Sequence, residues 1–173
     1  INYQIAGNHL EAEKIYKILI KNGHKDSIIL NNYGLICKRL NRREESKKIF
    51  QETINLYPRQ PEAYSNLANT LYEEKEYIQA EIYAKKSIQV KPLLINSLLI
   101  LSNIMAKQGK YNEAVSYLQR SLKINHNSFA ANINLGALLQ EKGDLKEAEL
   151  FYRKACKIEP KNPMAVRNLA GVL

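Results

Sequence analysis

Apolar positions recur along this chain at helical rather than strand spacing. The stretch from Phe129 to Pro160, FAANINLGALLQEKGDLKEAELFYRKACKIEP, places its apolar residues three and four apart, breaks at Gly143 and resumes in a second amphipathic run. It predicts a helix, a tight turn and a second helix. The pattern predicts the same pairing elsewhere: Ser27–Leu40 with Arg43–Tyr57, Pro61–Lys75 with Tyr77–Val90, Leu94–Gln108 with Tyr111–Ile124, and Ser128–Lys142 with Asp144–Ile158. Before these, Ile1–Ala6 reads as the end of a helix broken at Gly7-Asn8. His9–Asn22 reads as its partner, with Leu10, Ile15, Ile18 and Leu19 as the apolar stripe and Gly23 as the stop. Pro58 and Pro92 close second helices, because proline cannot continue one, while Pro61 opens a helix where its missing N–H is no loss. Asp144 followed by Glu147 reads as a capping box, and Asn162 caps a last helix ahead of Pro163.

The helix pairs repeat in register. Steps of 34 from Ala148 give Ala114, Ala80, Ser46 and Ala12, and from Gly136 give Ser102, Ala68 and Gly34, with Ala170 ahead. Tyr152 leads back to Leu118, Ala84, Phe50 and Tyr16, and Leu135 to Leu101, Leu67 and Tyr33. Antiparallel helices approach closely only where the crossing point is small, so the first two columns are expected at the crossings and the bulky residues around them. Ala84 departs from its bulky column. Gly109 and Gly143 are expected to supply positive φ in the turn, with Asn41 and Lys75 standing in for glycine elsewhere.

A 34-residue period of helix–turn–helix units resembles the tetratricopeptide repeat along essentially the whole chain. The resemblance implies an all-α fold: a right-handed α-α superhelix, or solenoid, of antiparallel helix pairs whose first helices line an inner groove. A single array over 1–173 is expected, with a partial repeat at 1–26, full repeats at 27–60, 61–94, 95–128 and 129–162, and the first helix of another at 163–173. Beginning and ending inside helices, the sequence reads as part of a longer array.

Composition narrows this further. Hydrophobic residues are 45% and charged residues 25%, a globular balance, and no apolar run is long enough for a membrane span. The formal net charge of +9 raises nucleic acid as a partner. Most of the surplus lies on second helices, at Lys14, Lys17, Lys21, Lys47, Lys48, Lys85, Lys86, Arg120, Lys123, Arg153, Lys154 and Lys157, which read as a solvated outer face. On the first helices Lys38, Arg39, Lys107 and Arg167 are offset by Glu62, Glu73 and Glu141, so the groove is expected to be nearer neutral. The run from Lys38 to Arg43, KRLNRR, ends a helix, where cations are favoured anyway. Cys37 and Cys156 occupy columns held elsewhere by Leu, Met or Ile and read as buried, reduced thiols three repeats apart, which fits the cytoplasm.

No catalytic set emerges. His9, His24 and His126 are scattered, and no HExxH, CxxC, GxGxxG or P-loop spacing occurs. The chain is therefore expected to be no enzyme by itself and to need no cofactor and no metal. The recurrent polar signal is asparagine: Asn32, Asn66, Asn134 and Asn168 share one column, broken only by Ile100, around which Asn96 and Asn103 lie one turn away on the same face. Asn69 lies three after Asn66. Asparagine is a mediocre helix former, costing about 0.5 kcal/mol against Ala, so a column of it calls for a reason. A carboxamide donates and accepts, and can therefore pair with peptide backbone of any sequence. The column is similar to that of the repeats of O-linked N-acetylglucosamine transferases, which implies an extended peptide held by the ladder. The competing reading has the amides bond to a neighbouring repeat. A clamp for a C-terminal carboxylate is disfavoured, because the residues before the column are Asn31, Ser65, Leu99, Ile133 and Arg167.

The sequence thus points to a protein-binding scaffold that takes a partner peptide or helix in its groove. Two alternatives stand beside it. One is the substrate-recognition arm of a larger enzyme of glycosyltransferase or sulfotransferase type. The other is nucleic-acid binding by the basic convex face, which ranks last; no membrane contact is expected.

Overall fold

The computed structural model describes residues 8–173, and among them every regular element is an α-helix. The expected helix end at Ile1–Ala6 lies outside the described residues. The chain divides into two compact units, Ile1–Pro92 and Leu93–Leu173. The first holds α1 (His9–Lys21), α2 (Ser27–Arg39), α3 (Arg43–Leu56), α4 (Pro61–Glu73) and α5 (Tyr77–Val90). The second holds α6 (Ile95–Lys107), α7 (Tyr111–Ile124), α8 (Phe129–Lys142), α9 (Leu145–Ile158) and α10 (Pro163–Ala170). These bounds fall within two residues of those the apolar pattern predicts. In the first unit α2 pairs with α3 and α4 with α5, α2 lies beside α4, and α1 packs on α2. In the second, α6 pairs with α7 and α8 with α9, α6 lies beside α8, and α10 packs on α9.

One turn joins each pair. Asn41, Lys75, Gly109 and Gly143 all adopt positive φ, between 61° and 87°. The next residue then donates its backbone N–H back into the first helix, from Arg42 to Cys37, Glu76 to Leu71, Lys110 to Met105 and Asp144 to Leu139, each at 2.9 Å. These bonds satisfy carbonyls the helix end would otherwise leave bare. They also overturn the capping box at Asp144. Its backbone N–H is already spent on Leu139, so Glu147 has no donor to receive, and its side chain makes no capping bond. Of the other second-helix starts, Arg42, Glu76 and Lys110 likewise lack a side-chain cap, while Asn8 ahead of α1 accepts from the Glu11 N–H at 3.2 Å. Three of the five first helices are different. Asp26, Ser128 and Asn162 precede them in extended backbone, and their side chains accept from the first-turn N–H groups.

The small columns lie at buried crossings except at Ala170, which is exposed at the end of α10. Ala68, Ala80, Ala114 and Ala148 are fully buried, as is Ser46, whose hydroxyl donates to the Gly34 carbonyl at 2.8 Å. A second small column, Thr53, Ser87, Ser121 and Ala155, is equally buried and was not singled out from sequence. Two apolar assignments need correction. In α1, Leu10 and Ile18 are exposed, because the face against α2 is formed by Ala12, Tyr16, Leu19 and Ile20. Cys37 is buried, but Cys156 is only half-buried, on a column that also leaves Ile88 and Leu122 half-buried.

Candidate functional site

Packing α2 beside α4, and α6 beside α8, brings the asparagines of successive first helices within reach of one another. In the first unit Asn66 Nδ2 donates to Asn31 Oδ1 at 3.3 Å, and Asn31 Nδ2 donates to the Ser27 carbonyl at 2.9 Å. Asn69 Nδ2 donates to Glu73 Oε1 at 3.3 Å, and the same carboxylate oxygen receives Lys38 Nζ at 2.7 Å from α2. Asn32 hydrogen-bonds the Tyr16 phenol, although burial outweighs this bond and pushes the phenol's pKa up. In the second unit Asn134 Nδ2 donates to Asn103 Oδ1 at 2.9 Å. Asn96 is exposed on the first turn of α6 and Asn168 half-buried on α10; neither bonds to another member of the ladder.

The structure therefore joins Asn134 to Asn103 but joins Asn66 to Asn31 rather than to Asn32. Asn31 is the residue sequence reasoning passed over. Its signal was the Ser27-x-x-x-Asn31 spacing, which lets an asparagine reach back one turn to a carbonyl. Asn132 does the same to Ser128 at 2.8 Å and also holds the His126 carbonyl at 3.3 Å. A carboxamide has two N–H donors and two acceptor lone pairs. The bonds above use one donor of Asn66, Asn69 and Asn134 and one acceptor of Asn103. Each of these side chains is half-buried and keeps capacity for a further partner.

Of the charge offsets expected along these helices one forms an ion pair, while Glu62 pairs with Lys91 and Glu141 accepts from the Tyr111 hydroxyl. Lys38 is paired with Glu73, as the offset of charges in the sequence suggested. The KRLNRR run is partly neutralised: besides Lys38, Arg42 pairs with Glu13 at 2.7 Å and with Glu45 at 3.3 Å, while Arg39 and Arg43 are exposed. On the second helices, Lys47 departs from the solvated face expected of it. It is mostly buried among Glu44, Glu74 and Glu76, at 2.8, 2.6 and 3.5 Å, and its hydrogen bonds to Glu44 and Glu74 raise its pKa. Lys17 and Lys85 pair with Glu13 and Glu81 on their own helices. Each such pair also uses a carboxylate, so the formal excess of +9 stays on the other basic residues, Lys48, Lys86, Lys123, Lys154 and Lys157 among them.

Among the described residues no group of three His, Cys, Asp or Glu side chains is placed to hold a metal, and no helix is long and apolar enough to cross a membrane.

Comparison with known proteins gives a consistent answer on architecture. Family models described as tetratricopeptide repeat match residues 28–60, 62–91 and 93–161, together most of the chain. No curated protein sequence matches. Among solved structures, the chain is similar to TTC0263, described as a thermophilic TPR protein in Thermus thermophilus, with TM-score 0.83 and 19% identity over 99% of this chain and 93% of that one. It is similar to YrrB, described as a TPR protein with an unusual peptide-binding site, with TM-score 0.71 and 20% identity over 91% and 81%. The APC/C hetero-tetramer Cut9-Hcn1 gives TM-score 0.88 and 16% identity over 99% of this chain and 34% of that one, so the chain spans about a third of that relative's length. At such identities the likeness is one of fold.

Proposed function

We propose that this chain, which belongs to the tetratricopeptide repeat family, is a protein-interaction scaffold that binds a partner's extended peptide or helix along the asparagine-bearing face of its first helices, as a concave groove. One observation carries the reading. Asn66, Asn69, Asn103 and Asn134 each leave hydrogen-bonding capacity unspent while their neighbours hold them in place. Oriented amides of this kind suit peptide backbone, because their contacts ignore the partner's side chains. Asn32 extends this surface in the first unit, and Asn96 and Asn168 extend the corresponding surface of the second. The description of YrrB as carrying a peptide-binding site, and of Cut9-Hcn1 as a hetero-tetramer, supports protein partners for this type of array. The near-neutral pairing of Lys38 with Glu73 disfavours nucleic acid at this face. The buried thiol of Cys37 fits a reducing, cytoplasmic setting. No observation favours the enzyme-arm alternative over the scaffold.

The test is site-specific crosslinking. A photo-reactive residue replacing Asn69 or Asn96, irradiated in the presence of cognate cell extract, is expected to yield adducts whose peptides are mapped by mass spectrometry. The same group at Lys48 or Lys146 on second helices should yield none of those peptides. Equal capture from both sets of positions would remove the first-helix face as the binding surface.

A further inference from the structure

A second candidate site lies in the Leu93–Leu173 unit, on different elements from the asparagine ladder. A hollow of about 530 Å³ is lined by His126 and Asn127 of the turn before α8, and by Lys154, Lys157 and Ile158 of α9. Lys154 and Lys157 stand three apart on one helix, so their ammonium groups share a face. Among the described residues neither is within ion-pair distance of a carboxylate, whereas their neighbour Arg153 is held by Glu149 at 2.7 Å. The Lys154 ammonium is not loose. It sits over the Phe151 ring, 4.8 Å from its centroid. The opposite wall is also fixed. The His126 carbonyl accepts from Asn132, which is only 1% exposed, and the Asn127 backbone N–H donates to Asn125 Oδ1 at 3.0 Å. The nearest acid in sequence, Glu159, lines a separate hollow and accepts from Asn162 Nδ2 at 2.7 Å.

Two lysines outside any ion pair, a histidine and an asparagine thus line a concavity far larger than one water. We infer that this hollow is a binding site for a phosphomonoester group. Lysines bind such a group as point charges, while Asn127 and His126 can donate to its remaining oxygens. A monocarboxylate would leave one ammonium unmatched, whereas a dianion matches both. The group could come from a phosphorylated side chain of a partner peptide or from a small phosphorylated metabolite.

Amide-resolved NMR titration of the full chain tests this with phosphoethanolamine and with a short phosphoserine peptide as probes, against acetate at equal ionic strength. Both phosphate probes are expected to give saturable shifts confined to 125–128 and 153–158, with acetate at least tenfold weaker. K154Q/K157Q should weaken both at least tenfold, and K48Q/K146Q, which removes the same charge elsewhere, should leave them unchanged. Tighter binding of the peptide assigns the site to phosphorylated partners; equal binding assigns it to small molecules. Shifts that do not saturate, that spread over lysines generally, or that survive K154Q/K157Q would overturn the assignment.

Discussion

The ring of Tyr152 lies so close across Gly136 that a Cβ at the glycine would fall 2.6 Å from Cε1 of the tyrosine. Gly34 and Phe50 stand in the same relation in the first unit, at 2.5 Å. In the same register are Ala68 with Ala84 and Ser102 with Leu118, all buried. Size on one helix is balanced by size on its partner, glycine against an aromatic ring and alanine against alanine. Ala84 is therefore no defect in its bulky column. With a Cβ already present at Ala68, the space a ring occupies elsewhere is partly taken.

A coupling between the two positions follows. Gly136→Ala should destabilise the fold by about 1–3 kcal/mol through overpacking, and Gly136→Leu by more. Tyr152→Leu should cost about 2 kcal/mol, since it leaves a void and removes the 2.8 Å bond from the Tyr152 hydroxyl to Gln140. The double variant, which imitates the Ser102–Leu118 pairing, should recover about 1 kcal/mol or more relative to the sum. Denaturant unfolding of the four proteins measures the cycle. Strict additivity would mean that the two positions do not share a crossing.

The turn residue Lys75 holds φ at 65°, in the left-handed region that favours glycine. Lys75→Gly should relieve that strain and stabilise the chain by about 0.5–1 kcal/mol. Gly109→Ala should shift stability the other way. Thermal melting reads both, and a destabilised Lys75→Gly would show that the lysine side chain contributes more than its backbone strain costs.

Cys37 is fully buried, and burial pushes its thiol up from about 9 to about 11, with the Glu45 carboxylate adding to the effect. The fold therefore favours the neutral thiol. That contribution is complete below pH 9 and is lost as pH rises through 11. Cys37→Ala should accordingly lose less stability than the parent across that alkaline window. At neutral pH a thiol reagent should modify half-buried Cys156 first and reach Cys37 only on unfolding. Rapid labelling of Cys37 in the native protein would contradict its placement in the core.

Helix existence and pairing were legible because apolar spacing, turn glycines and the 34-residue register all agreed. Lys38 with Glu73 was legible as a charge balance and became an ion pair once α2 lay beside α4. Other features depended on contacts the sequence does not display. Asp144 has the composition of a capping residue, yet the turn geometry had already claimed its N–H for Leu139. Lys47 looks like any second-helix lysine until Glu74 and Glu76 arrive from the following repeat. Asn31 carries the inter-repeat bond expected of the neighbouring column, because which side chain bridges two helices depends on their rotation. The structure also divides the ladder into members of different standing. Asn66 and Asn134 bond across repeats, as the neighbour-bonding reading expects; Asn69, Asn96 and Asn168 make no such bridge.

That division selects the most direct measurement of peptide binding by the amide face. A peptide ligand is first selected on the intact chain, and its affinity and the chain's melting temperature are then measured for Asn69→Ala and Asn96→Ala, alone and combined. Alanine is the better helix former, and neither asparagine bridges repeats, so the melting temperature should hold or rise. Affinity should fall by about 1 kcal/mol for each hydrogen bond lost. Unchanged affinity with a lowered melting temperature would show that these amides serve the fold and not a partner.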